Sequence, residues 1–265
     1  MIKASLQALT ILLVLLVLAL PPNVAGSATR HGKPSHVIAL FSGHTAFAGS
    51  NEAHQGAMSA SGVPEYRFND AVLELFSQQE GKCDIVYRAF PSTSNISLSS
   101  RPGMASELNA VALMEIHHDS VQPRIYRSLI RSIRGDPILD YYRGFSIHCY
   151  PTAESIRLAK AIESEMISRS MKWSEYHTED IPGERMKLIR GTRAVYERRD
   201  LLLLRESSIP TVIIECGCIA NPEEEKLVKG LAYRQRVVDA IHGGIALFLG
   251  LKQETAEEFE TLSPH

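Results

Sequence analysis

Val37-Ile38-Ala39-Leu40-Phe41-Ser42-Gly43-His44 is a run of five apolar residues that ends on a serine, a glycine and a histidine. Two later stretches repeat the pattern with other endings: Val111-Ala112-Leu113-Met114-Glu115-Ile116-His117 and Thr211-Val212-Ile213-Ile214-Glu215. Short apolar runs lying between helical patterns read as strands buried on both faces, as in a parallel sheet. Ligands of open α/β sheets sit in the crevice beyond the carboxyl ends of such strands. Two imidazoles and a carboxylate delivered to that edge predict a hydrolytic zinc site.

Outward from these runs, residues 45–64 form a loop rich in Gly, Ser and Ala, longer than ordinary connections, as functional loops often are. Glu65 opens a helix in which Phe68, Val72, Leu75 and Phe76 recur at helical spacing. Residues 83–89 read as a second strand and 104–110 as a short helix feeding the strand that ends at His117. Residues 124–133 read as a basic amphipathic helix, broken by Asp136-Pro137. A strand at 145–150 precedes a strong helix at 153–170, with Ile156, Ala159, Ile162 and Met166 along one stripe. Residues 200–206 read as a short helix, Pro222 sits in the first turn of another, and 233–249 form the closing apolar helix. The expectation is an α/β fold: a single three-layer domain with a mixed, mostly parallel sheet, helices on both faces, and the zinc site at the C-terminal strand ends. No internal repeat is visible.

The chain has 265 residues. Lys3, an apolar stretch at 8–20 and the small residues at 24–28 have the order of a signal peptide, expected to span 1–28. The apolar stretch is short of the roughly 20 residues of a membrane span. An exported protein follows, periplasmic or extracellular, with no stable membrane span after cleavage. Residues 35–250 are the expected catalytic domain and 251–265 a flexible acidic tail. A net charge of −2 with 7% aromatic residues gives no support for nucleic-acid binding. Four cysteines do not make a disulfide framework; spacing allows Cys83 and Cys149 to pair without requiring it. Cys216 and Cys218 read as small buried thiols pointing away from Glu215.

Catalytic zinc takes three protein ligands and keeps one position for water. His44 and His117 supply two. Glu65 is the third candidate, because it starts a helix whose N-terminus faces the strand ends. Glu52 and His54, on the loop, are weaker candidates. Glu215 ends a very apolar strand, so its pKa should rise enough for it to carry protons near neutrality. The rival reading pairs it with Arg193 or Arg205.

Five segments carry a resemblance: Ser42-Gly43-His44, Gln55-Gly56-Ala57, Gly62-Val63-Pro64-Glu65, Glu115-Ile116-His117, and the longer Ile209-Pro210-Thr211-Val212-Ile213-Ile214-Glu215-Cys216-Gly217-Cys218-Ile219-Ala220-Asn221-Pro222-Glu223-Glu224. With them the chain resembles, over about 37–249, the zinc-dependent N-acetylmuramoyl-L-alanine amidases of bacterial cell-wall turnover. The resemblance implies that His44, Glu65 and His117 bind Zn2+ and that Glu215 is the catalytic carboxylate. It further implies peptidoglycan as substrate, cut between N-acetylmuramic acid and L-alanine. A secreted zinc peptidase or carboxypeptidase and a non-catalytic wall-binding regulator are the competing functions. The chain departs from the family pattern in several places. Thr45-Ala46 stand where two glycines are usual, and Glu115 stands where serine is usual. Glu115 shares a strand face with His117, so it reads as a partner of that histidine, an added carboxylate near the metal, or a group held by a basic side chain. His118 should point to the opposite face and is not read as a ligand. Residues 119–143 exceed the usual connection. In some relatives an inserted helix here blocks the site until a partner moves it, so an activator protein acting on this segment is one expectation. A lid or groove wall is the other.

Overall fold

The three apolar runs become β1 (His36–Ser42), β3 (Ala112–Asp119) and β7 (Thr211–Cys218), side by side and parallel at the centre of a seven-stranded sheet. The structure is a computed structural model that describes residues 36–47, 55–79, 82–178 and 186–251. The expected signal peptide, the loop candidates Glu52 and His54, and the tail from 252 onward lie outside the described residues. Beside β1 lies β2 (Ile85–Phe90); beyond β7 come β4 (Ser146–Cys149), β6 (Val195–Arg198) and β5 (Met186–Leu188). The β4–β7 and β5–β6 pairs are antiparallel and the other pairs parallel, giving the mixed, mostly parallel sheet that the sequence predicts.

Strand residues alternate between two layers. Ile38, Leu40, Met114, Ile116, Val212 and Ile214 join a core formed with α1 (Tyr66–Leu73), α5 (Ala153–Ser168) and α8 (Leu231–Leu249). Ala39, Phe41, Leu113 and Ile213 face the other way, under α2 (Arg101–Glu107) and α6 (Leu202–Glu206). These two cover helices have only 7 and 5 residues. Glu115, His117 and Glu215 have the same strand parity as Leu113 and Ile213, so they lie on this thinly covered face. The site opens there because the roof is short.

Several boundaries differ from expectation. The second strand starts at Ile85 because Cys83 and Asp84 are both left-handed, with φ of 53°. The short helix before β3 begins at Arg101, with Pro102 tolerated in its first turn. The basic helix stops early, as α3 (Pro123–Leu129), and Asp136 does more than break it. Its carboxylate accepts from the Ile138 N–H at 3.1 Å and caps a separate helix, α4 (Pro137–Tyr141). β5 and β6 have no counterpart in the sequence pattern. Cys149, Cys216 and Cys218 are free thiols: Cys83 precedes β2 on one side of β7 and Cys149 ends β4 on the other, so the allowed pair does not form. Among the described residues no helix is long and apolar enough to cross a membrane.

Candidate metal centre

Two close approaches seat the site. The Gly43 N–H donates to the Ile116 carbonyl at 2.9 Å, carrying the β1–β3 ladder one residue past β1. A Cβ at Gly43 would stand 2.1 Å from His117 Nε2, so the bare backbone is what lets the imidazole lie against it. Gly56 has φ +80°, a conformation that favours glycine, and a Cβ there would meet Glu65 Oε2 and the His44 ring at 2.6 Å. The Gly-His and Gln-Gly-Ala segments of the sequence are therefore walls of one pocket.

Glu65 immediately precedes α1 and bridges the two histidines. Its Oε2 lies 3.1 Å from His44 Nε2 and its Oε1 lies 3.1 Å from His117 Nδ1. Backbone and amide donors hold the carboxylate: Ala57 N–H at 3.0 Å on Oε2, His118 N–H at 3.1 Å and Asn69 Nδ2 at 3.3 Å on Oε1. One donor atom from each of His44, Glu65 and His117 falls in a group whose members all lie within 4.8 Å of one another. His118 points away, as its strand parity requires, with Nδ1 2.9 Å from Asn69 Oδ1. Burial pushes its pKa down to about 4.

Glu215 pairs with His117 in the β3–β7 register. Its Oε2 is buried without a hydrogen-bond partner. The arginines of the rival reading are engaged elsewhere: Arg193 lies over the Trp173 ring, and Arg205 pairs with Glu206. Burial holds the Glu215 carboxyl well above the ordinary carboxylate range; the charges of Asp119 and Glu65 add to this, while His117 and Arg198 oppose it. Burial also works to raise Glu65, but hydrogen bonds and charge from His117 and His44 bring it well below its ordinary value. His117 is raised well above its own: burial opposes the charge, and hydrogen bonds to Glu115 and Glu65 with the charge of Glu215 outweigh it. A pocket whose three carboxylates converge on one imidazole favours positive charge. That field and the mixed donor set, two borderline imidazole nitrogens with one hard carboxylate oxygen from Glu65, suit a divalent ion such as zinc.

Two cavities meet at Glu215, His148 and Arg198. The larger, of about 680 Å³, runs past His44 and His117 to the apolar side chains of Ile96, Leu98 and Leu202. The smaller, of about 480 Å³, is more polar, lined by Asp119, Gln122 and His177 among others. Sequence reasoning missed Arg101, which pairs with Glu115, and the group of Asp119, Tyr176 and His177, in which both later residues contact the Asp119 carboxylate. The residues between β3 and α3 form one wall of the smaller cavity. The rest of that long connection is tied down by Tyr126, whose hydroxyl donates to the Ser59 carbonyl at 2.9 Å, and by packing of Leu129, Leu139 and Tyr142.

Fold and site together define an α/β protein with two imidazoles and a carboxylate gathered at the ends of its central strands, the make-up of a metal-dependent hydrolase. The chain belongs to the N-acetylmuramoyl-L-alanine amidase family: residues 38–247 match the family described as Amidase_3. A stretch of 49 residues, 18% of this chain and 17% of the relative, is 43% identical to the N-acetylmuramoyl-L-alanine amidase AmiA of Salmonella typhimurium. The chain thus matches under a fifth of that relative's length. Among solved structures, the catalytic domain of CwlV from Bacillus (Paenibacillus) polymyxa superposes with a TM-score of 0.60 at 19% identity, over 82% of this chain and 99% of that one. The apo form of Ami1 from Mycobacterium abscessus gives 0.64 at 18% identity, over 81% and 99%. Both structural likenesses concern the fold.

Proposed function

We propose that this protein hydrolyses the amide bond between the lactyl group of N-acetylmuramic acid and the first L-alanine of the peptidoglycan stem. Zinc is the metal, held by His44, Glu65 and His117, and Glu215 is the proton carrier. The observation that carries the reading is the convergence of one donor atom from each of those three residues within 4.8 Å, with Glu215 facing His117 across the strand pair. Zinc bound there supplies Lewis acidity, polarising a carbonyl oxygen and making water acidic enough to lose a proton near neutral pH.

The chain's own groups supply the rest. Glu215 Oε2, buried and unpartnered, accepts the proton of the attacking water and returns it to the alanine nitrogen as the C–N bond breaks. The products are a lactyl carboxylate on the glycan and a free amine on alanine. The junction of the two cavities at Glu215 gives the two halves of such a substrate separate directions in which to lie. For residues 119–143 the groove-wall role is the one supported by their place along the smaller cavity. The substrate lies outside the cytoplasmic membrane, so the reading entails export.

Digestion of purified sacculi, with mass spectrometry of the products, tests the bond. Stem peptides with a new alanine amino terminus are expected. Cleavage of free peptides alongside untouched sacculi overturns the substrate and favours the peptidase. Glu215→Gln should retain zinc and lose activity by about 100-fold or more; full activity in that variant overturns the role of Glu215.

A further inference from the structure

Beside the metal centre sits a buried ion pair that the proposed reaction leaves unused. Arg101 is 6% exposed and Glu115 is 2% exposed. The Arg101 guanidinium passes over Phe41, 5.3 Å from the ring centroid, and pairs with Glu115 Oε1. It also donates to the Ser42 carbonyl at 2.9 Å, at the end of β1. Glu115 Oε2 lies 3.3 Å from His117 Nε2. The two nitrogens of His117 therefore face different carboxylates. Nδ1 meets Glu65, the residue that also reaches His44, while Nε2 meets Glu115 on the other side of the ring. Glu115 is absent from the converging donor group.

We propose that Glu115, fixed by Arg101, is a positioning residue for His117: it accepts a hydrogen bond from Nε2–H, turns the Nδ1 lone pair toward the metal, and is not itself a ligand. The inference rests on the hydrolase reading above. An imidazole that ligates through one nitrogen donates from the other, and a carboxylate acceptor fixes its tautomer and ring orientation while making it a better ligand. Serine, usual at this place in the resemblance, offers a shorter and neutral acceptor. A carboxylate this deeply buried is costly unless paired, and Arg101 supplies the charge. Because the same guanidinium holds the Ser42 carbonyl, two residues before His44, one side chain ties both histidine-bearing strand ends together.

Competition of zinc against a chromophoric chelator, in wild type, Glu115→Gln and the double variant Arg101→Met/Glu115→Gln, tests this. The double variant removes both charges and serves where the single one folds poorly. Zinc affinity is expected to fall roughly 10–100-fold in both. In the zinc-loaded wild type, long-range 1H–15N spectra should show a proton on His117 Nε2 and none on Nδ1. An affinity within about threefold of wild type in either folded variant, or an Nε2 without its proton, overturns the proposal. If the wild type binds zinc and cleaves sacculi while the variants bind equally well, only this inference fails. A wild type that binds no zinc overturns it together with the hydrolase reading.

Discussion

Gly43 has no side chain because the His117 ring occupies the place where one would stand. An added Cβ would lie 2.1 Å from Nε2 and 2.2 Å from Cε1, well inside any contact distance. No left-handed φ is demanded here, so alanine suits the backbone and only the ring must move. Gly43→Ala should therefore fold, with a loss of about 1–3 kcal/mol from overpacking, while the displaced imidazole lowers the cleavage rate on the order of 100-fold. Denaturant melts and muropeptide release measure the two effects separately; wild-type turnover in Gly43→Ala would remove the claim that the ring's place depends on this glycine. His44, Glu65 and His117 were legible because strand ends and a helix start fix where such residues point. The acceptor opposite His117 was legible only as three alternatives. Glu115 has both a histidine and an arginine as partners, and nothing local in sequence says that Arg101, on the short helix covering the same sheet face, reaches it.

Elements were readable in proportion to their periodic signal and their ends. α5 runs over Ala153–Ser168, close to its expected span, with the Thr152 side chain accepting from the Ser155 N–H at its start. β5 and β6 have 3 and 4 residues, too few for a period to show, and their partners are supplied by the sheet. The expected basic helix at 124–133 gave way because Leu129 is drawn into a small core with Leu139 and Tyr142, a tertiary contact that amphipathicity alone does not encode. The turn into α7 (Pro222–Val228) was legible as Asn-Pro-Glu-Glu, but its reach was not. Asn221 Oδ1 accepts from the Glu223 and Glu224 N–H groups at 3.0 and 3.3 Å, and its Nδ2 donates to the Leu139 and Tyr142 carbonyls at 2.6 and 2.9 Å. One amide thus caps α7 and anchors α4. Asn221→Ala should cost more than the roughly 1 kcal/mol of a plain cap, about 2–4 kcal/mol, because buried carbonyls lose their donor as well. Urea melts decide it: a loss below about 1 kcal/mol would mean that α4 does not depend on this residue.

For the whole molecule, the three-layer arrangement was legible because buried strands alternate with helical periods, whereas the unequal cover of the two sheet faces was not. That inequality opens the site, and Glu224 shows how the fold is fastened beside it. From α7 its carboxylate accepts from the Cys218 N–H at the end of β7 at 3.0 Å and from the Gly144 N–H ahead of β4 at 2.8 Å. Burial pushes its pKa up from an ordinary 4.5 to about 7; the two N–H donors and Arg143 hold it back, and Asp119 adds to the rise. A group whose pKa is higher in the folded state contributes stability that is complete below its unfolded pKa and lost as pH rises through the folded one. The window therefore runs from about 4.5 to about 7, and the gap is worth about 3 kcal/mol at about 1.36 kcal/mol per pH unit. Glu224→Gln keeps an oxygen acceptor and nearly the same shape but does not titrate. With a chelator present in both samples, the stability of Glu224→Gln relative to wild type should climb by up to about 3 kcal/mol across that window and level off on either side. Subtracting one protein from the other cancels the titration of the carboxylates and histidines they share. A relative stability that stays flat from pH 4 to 8 would show that the Glu224 pKa does not change on folding, its two backbone donors offsetting the burial of its charge.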